Sequence, residues 1–212
     1  MTIFLILAPY GAYATLMMVT SAVVSLFAAV AILLAVIAYD IVRGRSIKIL
    51  GVGSVIVFAA VGNYVALVDP TMGTAAVKFA VDAGIFLVSL VSILIRRPFT
   101  LQYALEVVDA ETKKVPGFLR ANYVITWAWT GAALLMMVGN IALLYVPSLP
   151  LWSGLLIAFA ARNSAVYFTK WYPQYRKAKH GTAPANALHG TPRQHHSTWQ
   201  PLSAATEQRA GR

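Results

Sequence analysis

The chain is poor in the residues that define most soluble domains. No cysteine occurs among its 212 residues, which excludes disulfides, thiolate metal sites and a catalytic thiol. Charged residues make up only 11% of the chain and hydrophobic residues 59%, whereas roughly 25% of a typical soluble domain is charged. This composition excludes an ordinary soluble domain and predicts an integral membrane protein.

Catalytic and metal-binding motifs are missing as well. All four histidines lie near the C-terminus, at positions 180, 189, 195 and 196, so no apolar segment contains one. The chain has no HExxH motif, no arrangement of Ser, His and an acid, and no pair of carboxylates within one apolar segment. Gly51-Val52-Gly53 lacks the third glycine of a nucleotide-binding fingerprint. We therefore expect a protein that is not an enzyme and has no cofactor and no metal site.

Long apolar segments are the main positive feature of the sequence. A membrane-spanning helix needs about 20 mostly apolar residues, and five segments reach that length, the last of them only by accepting Arg162 and Asn163 near its centre. The segments are Thr20 to Ile41, Ile49 to Leu67, Thr74 to Ile95, Ala121 to Val146, and Leu151 to Trp171. The predicted fold is an all-α, polytopic membrane helix bundle with five full transmembrane helices, formed by residues 19–179.

Three other segments complete the predicted organisation. Residues 1–18 are apolar but interrupted by Pro9 and Gly11, and we expect a short membrane-embedded or interfacial helix. Residues 99–114 predict an amphipathic helix on the cytoplasmic surface, with Asp109 and Lys113 at the favourable i,i+4 spacing. Residues 180–212 lack apolar periodicity, which predicts a disordered basic tail.

Basic residues are distributed unevenly between the apolar segments. The chain has 17 Lys and Arg but only 7 Asp and Glu, a formal net charge of +10. Loops rich in Lys and Arg stay in the cytoplasm, so with five spans we expect the C-terminus inside and the N-terminus outside. Near a membrane this charge favours anionic lipid headgroups over nucleic acid as partner. The candidates for headgroup contact or protein docking are Arg43, Arg45, Lys48, Arg96, Arg97, Lys113 and Lys114.

Polar residues inside the predicted spans are the candidate site, because they are costly in a bilayer. They are Asn63, Lys78, Asp82, Asn140, Arg162 and Asn163. Counting residues along each helix places Asp82 and Arg162 at similar depths in the outer half of the bilayer. One interpretation is a polar cavity open to the outside, with Asp82 as a carboxylate that binds a proton or cation and Arg162 as its counter-charge. The other is a structural pair that fixes helix register.

Interfacial aromatics support the predicted span ends. Trp and Tyr are enriched at membrane–water interfaces. The residues in question are Trp127, Trp129, Trp152, Trp171, Tyr123, Tyr145 and Tyr172.

Several motifs resemble the intracellular septation protein A family of bacterial inner-membrane proteins. The resemblance covers Phe4 to about Tyr172 and rests on four loose motifs. They are Leu7-Ala8-Pro9-Tyr10, the basic turn from Arg43 to Lys48, the segment from Ser92 to Phe99 with Arg96-Arg97-Pro98, and Asn122 to Trp129 followed by Gly139-Asn140. The loop after Pro98, the deep Arg162 and the basic tail depart from the family pattern. The resemblance implies a multi-pass protein of the bacterial inner membrane with an envelope role, and it supplies no catalytic residues.

Three functions are compatible with these patterns. The first is a non-enzymatic inner-membrane protein that acts in envelope maintenance or cell division through protein or lipid contacts. The alternative is a small oligomeric transporter or channel that uses the Asp82 and Arg162 polar layer. A third hypothesis, a lipid-modifying enzyme that holds a phosphate headgroup with Arg96 and Arg97, has the least support.

Overall fold

The regular structure of the described chain is entirely helical. The computed structural model describes residues 2–115, 117–146 and 148–180. The helices are α1 Thr2–Val19, α2 Ala22–Val42, α3 Ile49–Leu67, α4 Thr74–Leu94, α5 Phe99–Val107, α6 Ala110–Lys114, α7 Phe118–Tyr145 and α8 Leu151–His180. The structure divides into two compact units, residues 1–175 and 176–212, and the helix bundle is the first unit. Of the second unit only 176–180 are described, as the end of α8, so most of the predicted tail lies outside the described residues.

Four helices, α2, α3, α4 and α7, are long and apolar enough to cross a membrane. They match the first four predicted spans to within a few residues at each end, which confirms a multi-pass membrane protein. The fifth predicted span forms helix α8, but α8 is not among the four helices that meet the length and composition required for a span.

Helix α1 is part of the bundle. Only Thr20 and Ser21 separate it from α2, and the Ser21 hydroxyl caps α2 by accepting a hydrogen bond from the Val24 amide. Pro9 and Tyr10 lie beside Leu33 and Ile37 of α2, so the two helices form an antiparallel hairpin. The structure therefore shows a helix that packs against α2, and its position in or on the membrane stays a prediction.

Helices α3 and α4 approach each other closely at two reciprocal glycine contacts. A Cβ added to Gly53 would lie 2.5 and 2.7 Å from the two methyl carbons of Val88, and one added to Gly84 would lie equally close to Val57. Membrane helices gain little from hydrophobic transfer when they associate, so small residues that allow close packing stabilise the contact. These two glycines therefore set the distance between α3 and α4.

We predict that Gly53→Ala destabilises the protein. Val88 is β-branched and has a restricted χ1, so it cannot rotate both methyl groups away, and overpacking of this kind costs about 1–3 kcal/mol. The measurement is the thermal unfolding midpoint in detergent. Gly131→Ala in α7 is the matched control, because a Cβ there meets nothing within 4 Å. Adding Val88→Ala to Gly53→Ala should recover part of the midpoint, because it removes the two methyl groups that the new Cβ meets. The packing argument is contradicted if the midpoint does not recover, or if Gly53→Ala and Gly131→Ala have equal midpoints.

Three buried serine and threonine hydroxyl groups are satisfied by the backbone of their own helices. The side chains of Ser54, Thr126 and Thr130 each donate to the carbonyl four residues earlier. Ser89 and Thr130 also bond to each other across α4 and α7. Such bonds let polar side chains occupy buried positions without an unpaired group.

The surface helix expected over residues 99–114 is instead two short helices. Val108 has an extended conformation, and the Asp109 carboxylate accepts a hydrogen bond from the Thr112 amide at 2.6 Å. Asp109 therefore caps α6 as its N-cap residue, and α5 ends before it. The i,i+4 spacing to Lys113 was consistent with one continuous helix, but an Asp at this position also favours a new helix start.

Candidate functional site

The candidate site begins with a hydrogen bond between two helices inside the membrane. Asn140 Nδ2 of α7 donates to Asp82 Oδ2 of α4 at 2.7 Å. The Asn140 side chain is buried, and Gly139 beside it allows Ile157 of α8 to approach closely. The bond holds one carboxylate oxygen and fixes the orientation of the Asp82 side chain.

Helix α8 supplies the opposite charge. Helix α8 packs antiparallel along α7, as three successive contacts show. Gly154 near the start of α8 lies against Leu143 near the end of α7. Further along α8, Ala161 and Ala165 cluster with Ala132, and Thr169 accepts a hydrogen bond from Trp129 Nε1 at 2.9 Å. This register places Arg162 opposite Met136, with its Nη2 4.0 Å from the methionine sulfur.

The Arg162 guanidinium also faces helix α1. Its carbon lies 5.7 Å from the centre of the Tyr10 ring, within the range of a cation–π contact. In the part of the chain that the structure describes, no ion pair joins Arg162 to Asp82. The two opposite charges therefore face the same region without neutralising each other by direct contact.

Both charged side chains line one cavity of about 90 Å³. Its walls come from six helices and include Tyr10, Tyr13, Trp129, Ala133 and Met136. The Tyr13 side chain is 7% exposed, and among the described residues its hydroxyl has no hydrogen-bond partner. A buried hydroxyl without a partner is costly, so the cavity offers an unused polar group beside the two charges.

The predicted polar layer is only partly assembled. Asp82, Asn140 and Arg162 come together, whereas the Asn63 and Asn163 side chains are exposed and bond to carbonyls of their own helices. Lys78 lies one turn before Asp82 on α4 and is not among the residues that line the cavity.

Sequence reasoning missed the aromatic residues of the site. The sequence predicts an interfacial position for Trp129, but this residue bonds to α8 and forms a cavity wall. Tyr10 and Tyr13 lie in the N-terminal segment, for which the sequence does not predict a single path. Their spacing of three residues, which puts both on one face of a helix, was the available signal.

A second charged cluster lies at the end of the bundle where the basic loops gather. Lys48 Nζ is 2.6 Å from Asp40 Oδ2 and 3.2 Å from Glu106 Oε2. The Lys48 side chain is only 5% exposed and that of Asp40 14%. Lys48 therefore lies away from the surface on which we expected it to contact lipid.

Helix α5 is attached to the start of α3 by this cluster. Gln102 Oε1 accepts a hydrogen bond from the Ile49 amide at 2.7 Å, which caps α3. The Lys48 ammonium also lies 5.4 Å from the Tyr103 ring centre. The pKa of the Tyr103 hydroxyl is raised mainly by burial, and further by the neighbouring Tyr10, Asp40 and Glu106. The hydroxyl therefore stays protonated at neutral pH.

The other basic candidates remain at the surface. Arg45 is 3.4 Å from Asp40, Arg43 stacks on the Tyr39 ring, and Lys114 pairs with Glu111. Five of the seven candidates are exposed without contact to the Lys48 cluster: Arg43, Arg96, Arg97, Lys113 and Lys114.

Comparison of the chain with protein-family models, curated proteins and solved structures gave no match. The resemblance to the septation family therefore stays a prediction from the sequence motifs. Function has to be argued from the site itself.

Proposed function

We propose that the protein is a small membrane transporter that binds a polar solute in the cavity between Asp82 and Arg162. The observation that carries this proposal is the cavity itself, because Asp82, Arg162 and Tyr13 all line it and the buried Tyr13 hydroxyl has no hydrogen-bond partner among the described residues. Ionisable residues inside a membrane bundle are expensive and mark solute and ion pathways. Six helices contribute residues to the lining of this cavity.

The geometry favours this function over a purely structural pair. A buried ion pair that only fixes register needs direct contact and well-satisfied hydrogen bonds to offset its desolvation. Here Asp82 contacts Asn140, and Arg162 contacts Met136 and Tyr10. The space between the charges is available to water or a solute.

A second, smaller cavity extends the pathway toward the end of the bundle where the Lys48 cluster lies. It measures about 40 Å³, and Tyr10 and Leu50 line both cavities. Asp40, Lys48 and Tyr103 line its other side. In the proposed function, Tyr10 and Leu50 separate the solute site from this end, and the ion pairs of Lys48 close it.

Cysteine accessibility tests whether the main cavity is open to water. The chain has no cysteine, so Ala133→Cys introduces a single thiol at a cavity wall residue that is 3% exposed. We expect it to react with 2-aminoethyl methanethiosulfonate added to intact cells. Leu134→Cys is the control, because the adjacent Leu134 lies on the exposed, lipid-facing surface of α7. A thiol at 133 that reacts no faster than the one at 134 would overturn the solute-binding function.

The same proposal includes a topology in the bacterial inner membrane. We infer that α1 and α8 cross together with the four apolar helices, because α1 pairs antiparallel with α2 and α8 pairs antiparallel with α7. Six crossings keep the basic loops and the C-terminus in the cytoplasm. They also bring the N-terminus to the cytoplasmic side, opposite to the expectation from five spans.

Single cysteines at the loops test this topology. We expect Thr71→Cys and Ser148→Cys to react with an impermeant maleimide in intact cells, because both residues are exposed and the proposed topology puts their loops on the outer side. Thr112→Cys should react only after the membrane is permeabilised. Thr2→Cys decides between the two topologies, and we expect it to be protected like position 112. Labelling at position 2 in intact cells would restore the outside N-terminus.

A second candidate function is docking of anionic lipid or protein partners in envelope maintenance or cell division. The exposed cations of the cytoplasmic loops favour it, in particular Arg96 and Arg97 at the end of α4. Lys and Arg near an anionic surface contribute about 1 kcal/mol each. In this case Arg96→Gln with Arg97→Gln should lose copurified phosphatidylglycerol in native mass spectrometry. Unchanged lipid retention would remove the support for this candidate.

A further inference from the structure

The charges that line the Asp82 and Arg162 cavity retain unused hydrogen-bonding capacity. Asp82 accepts one bond at Oδ2 from Asn140, although a carboxylate has about four acceptor positions. A guanidinium has five N–H donors, and the described residues offer Arg162 only the Met136 sulfur and the face of the Tyr10 ring. A ligand that complements the site therefore needs an acceptor group for Arg162 and a donor group for Asp82.

Charge balance narrows the class of ligand further. A simple anion bound to Arg162 would add a second negative charge beside the Asp82 carboxylate. A simple cation bound to Asp82 would add a further positive charge near Arg162 and Lys78, which lies one turn before Asp82. Unmatched buried charge is strongly unfavourable. A zwitterion matches both groups without adding net charge to the membrane interior.

The size and walls of the cavity agree with this class. Its volume of about 90 Å³ exceeds several times the roughly 10–15 Å³ that a single water needs on the same measure. The Trp129 ring lines it as well, and aromatic faces attract ammonium groups. The buried Tyr13 hydroxyl provides one more hydrogen bond.

We propose that the cavity binds a small zwitterionic molecule of the size of a short amino acid. Its carboxylate contacts Arg162 and the Tyr13 hydroxyl, and its ammonium contacts Asp82. This assignment rests on the proposed solute-binding function and names the class of solute.

The test uses the full chain purified in mild detergent and a panel of small probes. Glycine, β-alanine and γ-aminobutyrate are compared with ethylamine and propionate, which carry only one of the two charges. At ten times its dissociation constant, a zwitterion that binds should raise the thermal midpoint by about 3–6 °C. Ethylamine and propionate at equal concentration should raise it by less than 1 °C, on the order of the measurement error.

Two variants and one control locate the binding site. Tyr13→Phe should not lower the unliganded midpoint and should raise it slightly, because it removes a buried hydroxyl that has no partner in the described chain. It should weaken zwitterion binding roughly 12- to 150-fold, the value of one hydrogen bond to a charged group. Asp82→Asn keeps an acceptor for Asn140 and should abolish the shift. Asn63→Ala, at an exposed residue that bonds to its own helix, should preserve it.

Each remaining outcome overturns the assignment. Equal stabilisation by ethylamine would identify a cation site, and equal stabilisation by propionate an anion site. No stabilisation by any zwitterion, while Ala133→Cys still reacts with the thiol reagent, would mean a hydrated cavity of another specificity. Failure of the Ala133→Cys reaction would instead remove the solute-binding function itself.

Discussion

Lys48→Met should lower the thermal midpoint of the detergent-purified protein by about 6–12 °C. Lys48 is the cation between Asp40 and Glu106, at 2.6 and 3.2 Å. Its removal takes away the cation that both carboxylates share and leaves Asp40 with the longer contact to Arg45, at 3.4 Å. Removing one partner of a buried ion pair costs about 3–5 kcal/mol, and we expect about 3 kcal/mol because Asp40 keeps some contact with water. For a chain of this length, 1 kcal/mol corresponds to about 2–4 °C.

The matched control is Lys114→Met at an exposed ion pair. Lys114 and Glu111 are 3.2 Å apart but 74% and 86% exposed, and exposed pairs contribute about 0–1 kcal/mol. A second substitution tests the cause of the loss. Asp40→Asn in the Lys48→Met background should recover part of the midpoint, because it removes one of the two carboxylates that have lost the shared cation. A midpoint for Lys48→Met equal to that of Lys114→Met would mean that the cluster contributes no stability.

The membrane helices could be predicted from sequence because the bilayer imposes a simple requirement. Backbone groups in hydrocarbon must bond within the helix, so an apolar run of the right length is sufficient to predict a span. Four spans follow from that rule alone. A short helix was expected over residues 1–18, but its path did not follow from that rule, because Pro9 and Gly11 suggest an interruption. In the structure the Pro9 side chain is buried in the bundle, and the helix continues through it.

For the candidate site, the sequence predicts only how deep in the membrane each polar residue lies. Counting at 1.5 Å per residue places Asp82, Asn140 and Arg162 at similar levels, and the structure brings all three together. Depth does not give the direction of a side chain around its helix. Asn63 and Asn163 therefore matched the level of the site but lie on exposed faces of α3 and α8. Direction depends on helix packing, which the glycine contacts determine and a single sequence does not reveal.

Lys48 illustrates the same limit at the end of the bundle. A basic residue between two spans is normally solvated, and no local pattern indicates that Glu106, 58 positions later, contacts Lys48. The contact depends on how α5 folds back against α3, through Gln102 and the Ile49 amide. Long-range contacts of this kind cannot be derived from local charge patterns.

Asp82→Ala should cost more stability than Arg162→Ala, even though both remove one charge from the same cavity. Arg162→Ala leaves a carboxylate, which can take up a proton and become neutral. Asp82→Ala leaves a guanidinium, which cannot deprotonate in a protein, and Asn140 loses its acceptor as well. An Arg at the centre of a membrane helix costs roughly 2.5–3.5 kcal/mol on insertion scales. We expect a loss of about 3 kcal/mol, or about 6–12 °C in thermal midpoint.

The double substitution separates an interaction between the two charges from independent effects. Because Asp82→Ala is harmful mainly through the guanidinium that it leaves behind, Asp82→Ala with Arg162→Ala should have a higher midpoint than Asp82→Ala alone. Asn63→Ala serves as the control for a polar residue at similar depth on an exposed face. It should change the free energy of unfolding by less than about 0.5 kcal/mol. Strictly additive losses would mean that Asp82 and Arg162 do not interact across the cavity, and the opposite charges would then no longer argue for a solute between them.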